Sequence, residues 1–286
     1  MKIKKKYRVL CIVLACVVFV SAVGFVMYHG EWWFPLLERM RVHKSPDLNR
    51  TEPEGPWRQW SLAELCAEEG VTTSYQLLLV NESHPLPADY VPELTEYNGA
   101  RMHPMMVEPY VALRDSVQDK TGVRIYVASD YRTAEEQAEI LASSDSGIAA
   151  DIGCSEHEAG LALDVYAPYF GGVNFLRSRA GREVNRVCGE YGFIIRYPVD
   201  KVDVTGIDYE PWHIRYVGQP HATVMMQSGL TLEEYIELFE PHAWYKAGDY
   251  LISRQSPDAI ELPQGWSACE LSPDNTGYWF CTLRFD

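Results

Sequence analysis

Basic residues are scarce in this chain: 25 Lys+Arg stand against 40 Asp+Glu, for a formal net charge of -15. Five of those bases (Lys2, Lys4, Lys5, Lys6 and Arg8) crowd into residues 1–8, leaving 20 for the rest. No basic stripe follows. A body that acidic repels a phosphate backbone, and nucleic acid is excluded as a partner. Internal repeats and low-complexity tracts are also lacking, so a repeat array is not expected. Cysteine is sparse: of seven, Cys11 and Cys16 lie in the first apolar run, leaving Cys66, Cys154, Cys188, Cys269 and Cys281. What remains, 286 residues with 47% apolar content, suits one ordinary globular domain plus extras.

Val9 to Tyr28 contains no charged residue. A helix of about 20 residues spans roughly 30 Å, the thickness of a bilayer's hydrocarbon core. Bases precede this run, and Tyr28, Trp32 and Trp33 stand where interfacial aromatics belong. The positive-inside rule then leaves residues 1–8 in the cytoplasm and everything after Glu31 outside, on a single-pass anchor over 9–28. The competing reading is a cleaved signal peptide with a cleavage site at Val20-Ser-Ala22. An oxidising exterior permits disulfides. Cys269 and Cys281 flank the turn-rich run Ser272–Gly277 and are candidates for a hairpin bridge, with Cys154–Cys188 a second pairing and Cys66 left over. Free buried thiols are the alternative.

Residues 29–57 mix Trp, Pro and charge and read as a juxtamembrane stalk. Residues 58–241 form the main domain. Trp60 to Glu69 reads as a short helix and Tyr75 to Asn81 as a strand. Pro104 to Lys120 carries Met106, Tyr110, Leu113 and Val117 at helical spacing and stops before Gly122. Val123 to Ala128 is a β-branched strand. Ala134 to Ser143 is a helix with Thr133 as N-cap and Glu136 at the capping-box position. Leu161 to Tyr166, Phe193 to Tyr197 and Trp212 to Val217 are strands, Phe175 to Tyr191 a helix stopped by Gly192, and Thr231 to Phe239 a last helix capped by Thr231. The class is α+β: a small, mainly antiparallel sheet with flanking helices. Residues 242–286 break into short aromatic and β-branched runs and read as a small β appendage.

Two segments fifty residues apart carry metal chemistry: Ser155-Glu-His-Glu-Ala-Gly-Leu-Ala-Leu-Asp164 and Glu210-Pro-Trp-His213. Two imidazoles and a carboxylate, His157, Asp164 and His213, make a three-ligand set for Zn²⁺ with a fourth position open to water. Gly160 and Ala162 are small, which lets the backbone turn and approach the metal closely. Asp164 and Leu163 point to opposite faces of a strand, so Asp164 faces the cleft if Leu163 packs inward. Glu210 is either the base beside the metal's water or a further carboxylate ligand. Singly, each of these residues reads more simply as structural or solvated. Arg132, in Ser129-Asp-Tyr-Arg-Thr after a strand, is placed to stabilise an oxyanion or hold a substrate carboxylate. Its plainer reading is a surface arginine pairing with Glu135 or Glu136.

The segments together resemble the VanY-type D-alanyl-D-alanine carboxypeptidases, whose pattern S-x-H-x-x-G-x-A-x-D and E-x-W-H is met by Ser155, His157, Gly160, Ala162, Asp164, Glu210, Trp212 and His213. Upstream, Tyr131-Arg-Thr and Gln137 match as well, and the similarity spans about residues 75–240. Asp130 stands where relatives often carry glycine. The resemblance implies Zn²⁺ on His157, Asp164 and His213, Glu210 as base and Arg132 as electrostatic stabiliser. It places Ser155, Gln137, Tyr131 and Trp212 at the substrate. It implies a serine-independent metallocarboxypeptidase that removes the terminal D-alanine from peptidoglycan stems ending in D-Ala-D-Ala, a reaction tied to glycopeptide resistance when it removes the antibiotic's target. An L,D-carboxypeptidase acting on tetrapeptide stems shares the fold and is the nearest rival. A dipeptidase fits an extracellular position poorly. A non-catalytic wall-binding protein has no need to keep Glu210 and all three ligands.

Overall fold

A computed structural model of the protein describes residues 2–28, 30–143 and 150–285. The chain divides into two units, residues 1–41 and residues 42–286. The first contains the helices Lys2–Tyr28 and Gly30–Arg39. Within it, Tyr7–Phe25 is a 19-residue span of mean hydropathy 2.5, long and apolar enough to cross a membrane, a test that a signal sequence also passes. The side chains of Tyr28 and Trp32, expected at the interface, lie outside the described residues.

The second unit is α+β and is organised by a four-stranded sheet ordered Tyr126–Ser129, Ala162–Tyr166, His213–Tyr216, Phe193–Ile195, antiparallel at every pairing. Alternation along the 162–166 strand explains its place. Leu163 and Val165 are buried in the main core, and Asp164 and Tyr166 are half-buried on the other face. Helix Val107–Thr121 packs Tyr110, Leu113 and Val117 into the same core, at the spacing of one helical face, and ends at Gly122 in the left-handed conformation. Helix Ala134–Ser143 opens on the expected reciprocal cap: Glu136 N–H donates to Thr133 Oγ1 and Thr133 N–H to Glu136 Oε2, at 3.1 and 2.8 Å.

Three readings from sequence need correction. Tyr75–Asn81 is no strand: it turns at Gln76 and Leu77, where Leu78 N–H donates to the Tyr75 carbonyl at 3.0 Å, and Asn81 makes an isolated bridge to His84. Leu78 and Val80 enter the main core while Leu77 and Leu79 enter a second one. Its backbone is bonded elsewhere: Arg215 donates to the carbonyls of Gln76 and Leu78, and Leu79 N–H to Asp274. The expected helix over 175–191 is three pieces, a 3₁₀ turn Gly172–Arg177, an α-helix Arg179–Val187 and a 3₁₀ turn Cys188–Tyr191. The break falls at Ser178, whose Oγ caps the α-helix by accepting from Gly181 N–H at 2.7 Å. The cysteines are free thiols. Cys269 lies opposite Leu283, and Cys281 opposite Leu271, a diagonal placement about 7–8 Å apart that exceeds disulfide reach.

The β-rich C-terminus is part of a larger sheet. Six strands run in the order Asn49–Thr51, Trp244–Ala247, Tyr250–Gln255, Trp279–Arg284, Ala268–Pro273, Val71–Thr73, the last pairing parallel. Residues from the expected stalk and from the start of the expected main domain therefore supply both edges. The boundary anticipated at residue 242 does not separate compact units. Phe280 and Ile252 from this sheet share a core with Leu77, Val217, Tyr235 and Phe239.

Candidate active site

Asp164 and His213 are directly opposed in the ladder between strands 162–166 and 213–216. Opposed side chains of an antiparallel pair share a face. Since Leu163 and Ile214 occupy the core face, both donors emerge on the other. His157 arrives on the loop that precedes the strand. Its Nδ1 is 2.8 Å from the Asp130 carbonyl oxygen, so that nitrogen carries the proton and Nε2 turns to Asp164 Oδ2, 3.5 Å away. His213 presents the opposite nitrogen, with Nδ1 3.0 Å from Asp164 Oδ1. Gly160 closes the loop at φ +70, where an added Cβ would sit 2.9 Å from Leu94 Cδ2; the turn requires glycine.

One ligand atom from each of His157, Asp164 and His213 lies within 4.8 Å of the other two. Burial alone raises the Asp164 carboxyl, but hydrogen bonds with His157 and His213 hold it well below the usual carboxylate range. Burial lowers His157. Burial opposes charge on His213 too, yet Asp164 and Glu156 push it up to about 9. Asp164 is thus held ionised between a neutral His157 and His213. Two imidazole nitrogens and one carboxylate oxygen in such surroundings fit a divalent cation, and zinc by donor type.

Glu210 and His213 are the ends of one tight turn, in which His213 N–H donates to the Glu210 carbonyl at 3.1 Å. The Glu210 carboxylate is 3.8 Å from His213 Nδ1. Burial pushes its carboxyl up to about 7, with Asp164 reinforcing the shift and His213 and Arg132 opposing it. That value suits a group that takes and returns a proton near neutrality.

Arg132 follows the strand 126–129, which carries a bulge between Val127 and Ser129, a device that re-aims side chains beside active sites. Its Nη2 is 3.6 Å from Asp164 Oδ2. Nε and Nη2 donate to Ser129 Oγ, and Nη1 donates to Gln137 Oε1 at 3.0 Å. The surface pairing with Glu136 is not made, because Glu136 is held by Arg101 at 3.1 Å. Asp130, the departure from the resemblance, anchors the loop: its Oδ2 accepts from Arg101 N–H while its carbonyl orients His157.

Of the residues expected at the substrate, Gln137 and Ser155 are buried. Gln137 is engaged twice, accepting from Arg132 and donating to the Ala150 carbonyl at 2.7 Å, so it braces the arginine. Tyr131 lies beneath the Arg101 guanidinium, 5.2 Å from its ring centroid. Trp212 is half-buried against the main core. Sequence reasoning passed over Glu156, which is fully buried between His213 and two arginines. The signal was present in Arg196 and Arg215, each embedded in an apolar strand run, since a buried guanidinium demands a buried acid.

The family model for VanY, D-alanyl-D-alanine carboxypeptidase, matches residues 99–219. A D-alanyl-D-alanine carboxypeptidase of Enterococcus faecalis is 35% identical over 187 residues, 59% of this chain and 68% of that protein. A crystal structure of a vancomycin resistance D,D-pentapeptidase, a VanY variant from a VanB-type cassette in complex with Zn(II), aligns at TM-score 0.51 and 36% identity over 57% of this chain and 99% of that one. The LdcB LD-carboxypeptidase aligns at TM-score 0.52 and 31% identity, over 59% of this chain and 91% of that one. Of the residues that carried the resemblance, the fold gathers His157, Asp164 and His213, with Glu210 and Arg132 beside them, and the similarity runs through most of the enterococcal enzyme. The chain therefore belongs to the VanY family of zinc-dependent D-alanyl-D-alanine carboxypeptidases.

Proposed function

We propose that the protein removes the C-terminal D-alanine from peptidoglycan stem peptides ending in D-Ala-D-Ala, from a position outside the cytoplasmic membrane. The observation that carries this reading is the convergence of His157, Asp164 and His213 donors within 4.8 Å, with the half-buried Glu210 carboxylate and the Arg132 guanidinium at its rim.

His157 through Nε2, His213 through Nδ1 and Asp164 through its carboxylate would hold zinc. Bound there, zinc acidifies a water toward a pKa of about 7 and polarises a carbonyl. Glu210 accepts the proton of the attacking water as its oxygen bonds to the scissile carbonyl carbon. Arg132, fastened by Ser129 and Gln137, stabilises the oxyanion that develops. Glu210 then returns the proton to the D-alanine nitrogen as the C–N bond breaks. Tyr131, Ser155 and Trp212, neighbours in sequence of Arg132, His157 and His213, are assigned to the substrate on the resemblance alone.

Glu210→Gln separates metal binding from chemistry. We expect the variant to retain zinc at the wild-type stoichiometry and to lose several orders of magnitude in kcat, because it lacks the proton acceptor while the three donors are unchanged. Wild-type turnover in that variant would reassign the base.

The L,D reading keeps one specific support, the LdcB alignment, whose TM-score equals that of the VanY structure within a hundredth. The D,D reading is favoured by the family model and by the enterococcal relative.

For location, the span Tyr7–Phe25 with bases before it supports a single-pass anchor with the catalytic unit outside. Protease added to intact cells should digest the unit from residue 42 onward, leaving an N-terminal fragment in the membrane. Full protection of the chain would overturn that orientation, and a chain already lacking its first residues would favour the signal peptide.

A further inference from the structure

Glu156 neighbours the metal ligand His157 in sequence but points away from it, into the interior. Its two carboxylate oxygens have different surroundings. Oε1 accepts from Arg196 Nε at 2.6 Å and from Arg215 Nη1 at 2.8 Å. Both arginines are fully buried. Oε2 takes no part in these pairings and faces His213 Nε2 at 3.5 Å. Those two atoms, Glu156 Oε2 and His213 Nε2, are both buried with no hydrogen-bond partner among the described residues. The separation is longer than an ordinary N–H···O bond of about 2.7–3.2 Å, and each is the other's available complement.

The rest of the cluster is fixed around them. Arg196 also donates to both oxygens of Glu233, at 2.9 and 2.6 Å, and Arg215 to the carbonyls of Gln76 and Leu78 at 3.1 and 2.9 Å. Two carboxylates and two guanidiniums balance in charge, and Glu156 cannot swing without stranding buried arginines. Burying an ionic cluster is costly. One oxygen of Glu156 makes both of its contacts with the arginines, which leaves the aim of the other to be explained.

We propose that Glu156 is the positioning residue for the metal ligand His213. Its Oε2 accepts the Nε2 proton, which fixes the ring orientation and the tautomer that leaves Nδ1 free to bind the metal. The inference rests on the zinc peptidase reading. It makes the two histidines a complementary pair: the Asp130 carbonyl holds the Nδ1 proton of His157, and Glu156 holds the Nε2 proton of His213. Carboxylate partners of this kind raise ligand basicity, and losing one typically costs about 10–100-fold in metal affinity or activity.

The test is the zinc dissociation constant of the full chain, measured by chelator competition, for wild type, Glu156→Gln and Glu233→Gln. An amide at 156 matches the carboxylate in size, but it must turn its NH₂ either toward the arginines or toward the His213 N–H. We expect zinc binding about 10–100-fold weaker in Glu156→Gln and unchanged in Glu233→Gln, which disturbs the same cluster without touching Oε2. Equal zinc affinity in a folded Glu156→Gln would overturn the proposal, as would equal weakening in both variants, the mark of a merely structural cluster. Should Glu156→Gln fail to fold, ¹⁵N spectra of histidine-labelled, zinc-loaded wild type decide. A slowly exchanging proton on His213 Nε2 supports the assignment, and a proton on Nδ1 or a freely exchanging one contradicts it. A wild type that binds no zinc would sink the peptidase reading itself.

Discussion

His221 lies in the second core, with Nδ1 2.8 Å from the Tyr235 hydroxyl and Nε2 3.1 Å from Thr282 Oγ1. Burial pushes its pKa down to about 3, and both ring nitrogens are occupied by neutral hydroxyls. The native protein therefore keeps this imidazole neutral, whereas the unfolded chain protonates it near its ordinary value of about 6.5. Between those values the unfolded state binds the extra proton, so stability is complete above about pH 6.5 and falls as the pH drops through it. The loss at pH 5 comes to about 2 kcal/mol. Thermal unfolding of wild type and His221→Gln at pH 7.5 and pH 5 should show a smaller pH-dependent fall in Tm in the variant. Parallel slopes would show that His221 does not carry the effect. The contrast with the metal ligands shows what sequence discloses at this scale. The convergence of His157, Asp164 and His213 was legible because the two segments together, and not any residue singly, supply a three-donor set and match a known pattern. Glu156 was not, because its burial is created by Arg196 and Arg215, 40 and 59 residues away. His221 reads from sequence as a structural histidine, and its hydroxyl partners Tyr235 and Thr282 bear that out.

At the scale of elements, periodicity succeeded where side chains alone decide the outcome. Helix Val107–Thr121 and strand Ala162–Tyr166 fall where the apolar spacing put them, and the capping box at Thr133 and the N-cap at Thr231 are made. It misled where backbone partners decide. Residues 75–81 are an apolar run that reads as a strand, but the chain turns at Gln76 and Leu77, and Arg215 takes the carbonyls of Gln76 and Leu78. The helix over 175–191 is interrupted because Ser178 offers its hydroxyl to Gly181 N–H and caps a new start. The hairpin of Cys269 and Cys281 was placed correctly, and the bridge failed on register, which spacing does not reveal.

For the whole molecule, the α+β class and the antiparallel sheet were legible, while the extent of the domain was not. Strands 49–51 and 71–73 close the edges of a sheet whose other strands lie after residue 243, and such long-range pairing leaves little trace in local composition. Its effect reaches the site: the same core that holds Phe280 also holds Val217, directly after the strand that bears His213. Residues 42–286 are accordingly one folded unit, and the C-terminal strands are part of the framework behind the metal donors. The central claim is that this framework presents a zinc-dependent carboxypeptidase specific for a D-Ala-D-Ala terminus. The direct measurement gives the full chain acyl-L-Lys-D-Ala-D-Ala and acyl-L-Lys-D-Ala side by side, with and without chelator, and assays released D-alanine. The account predicts chelator-sensitive release from the first substrate alone. Release from the second alone, or from neither while zinc is bound, would contradict it.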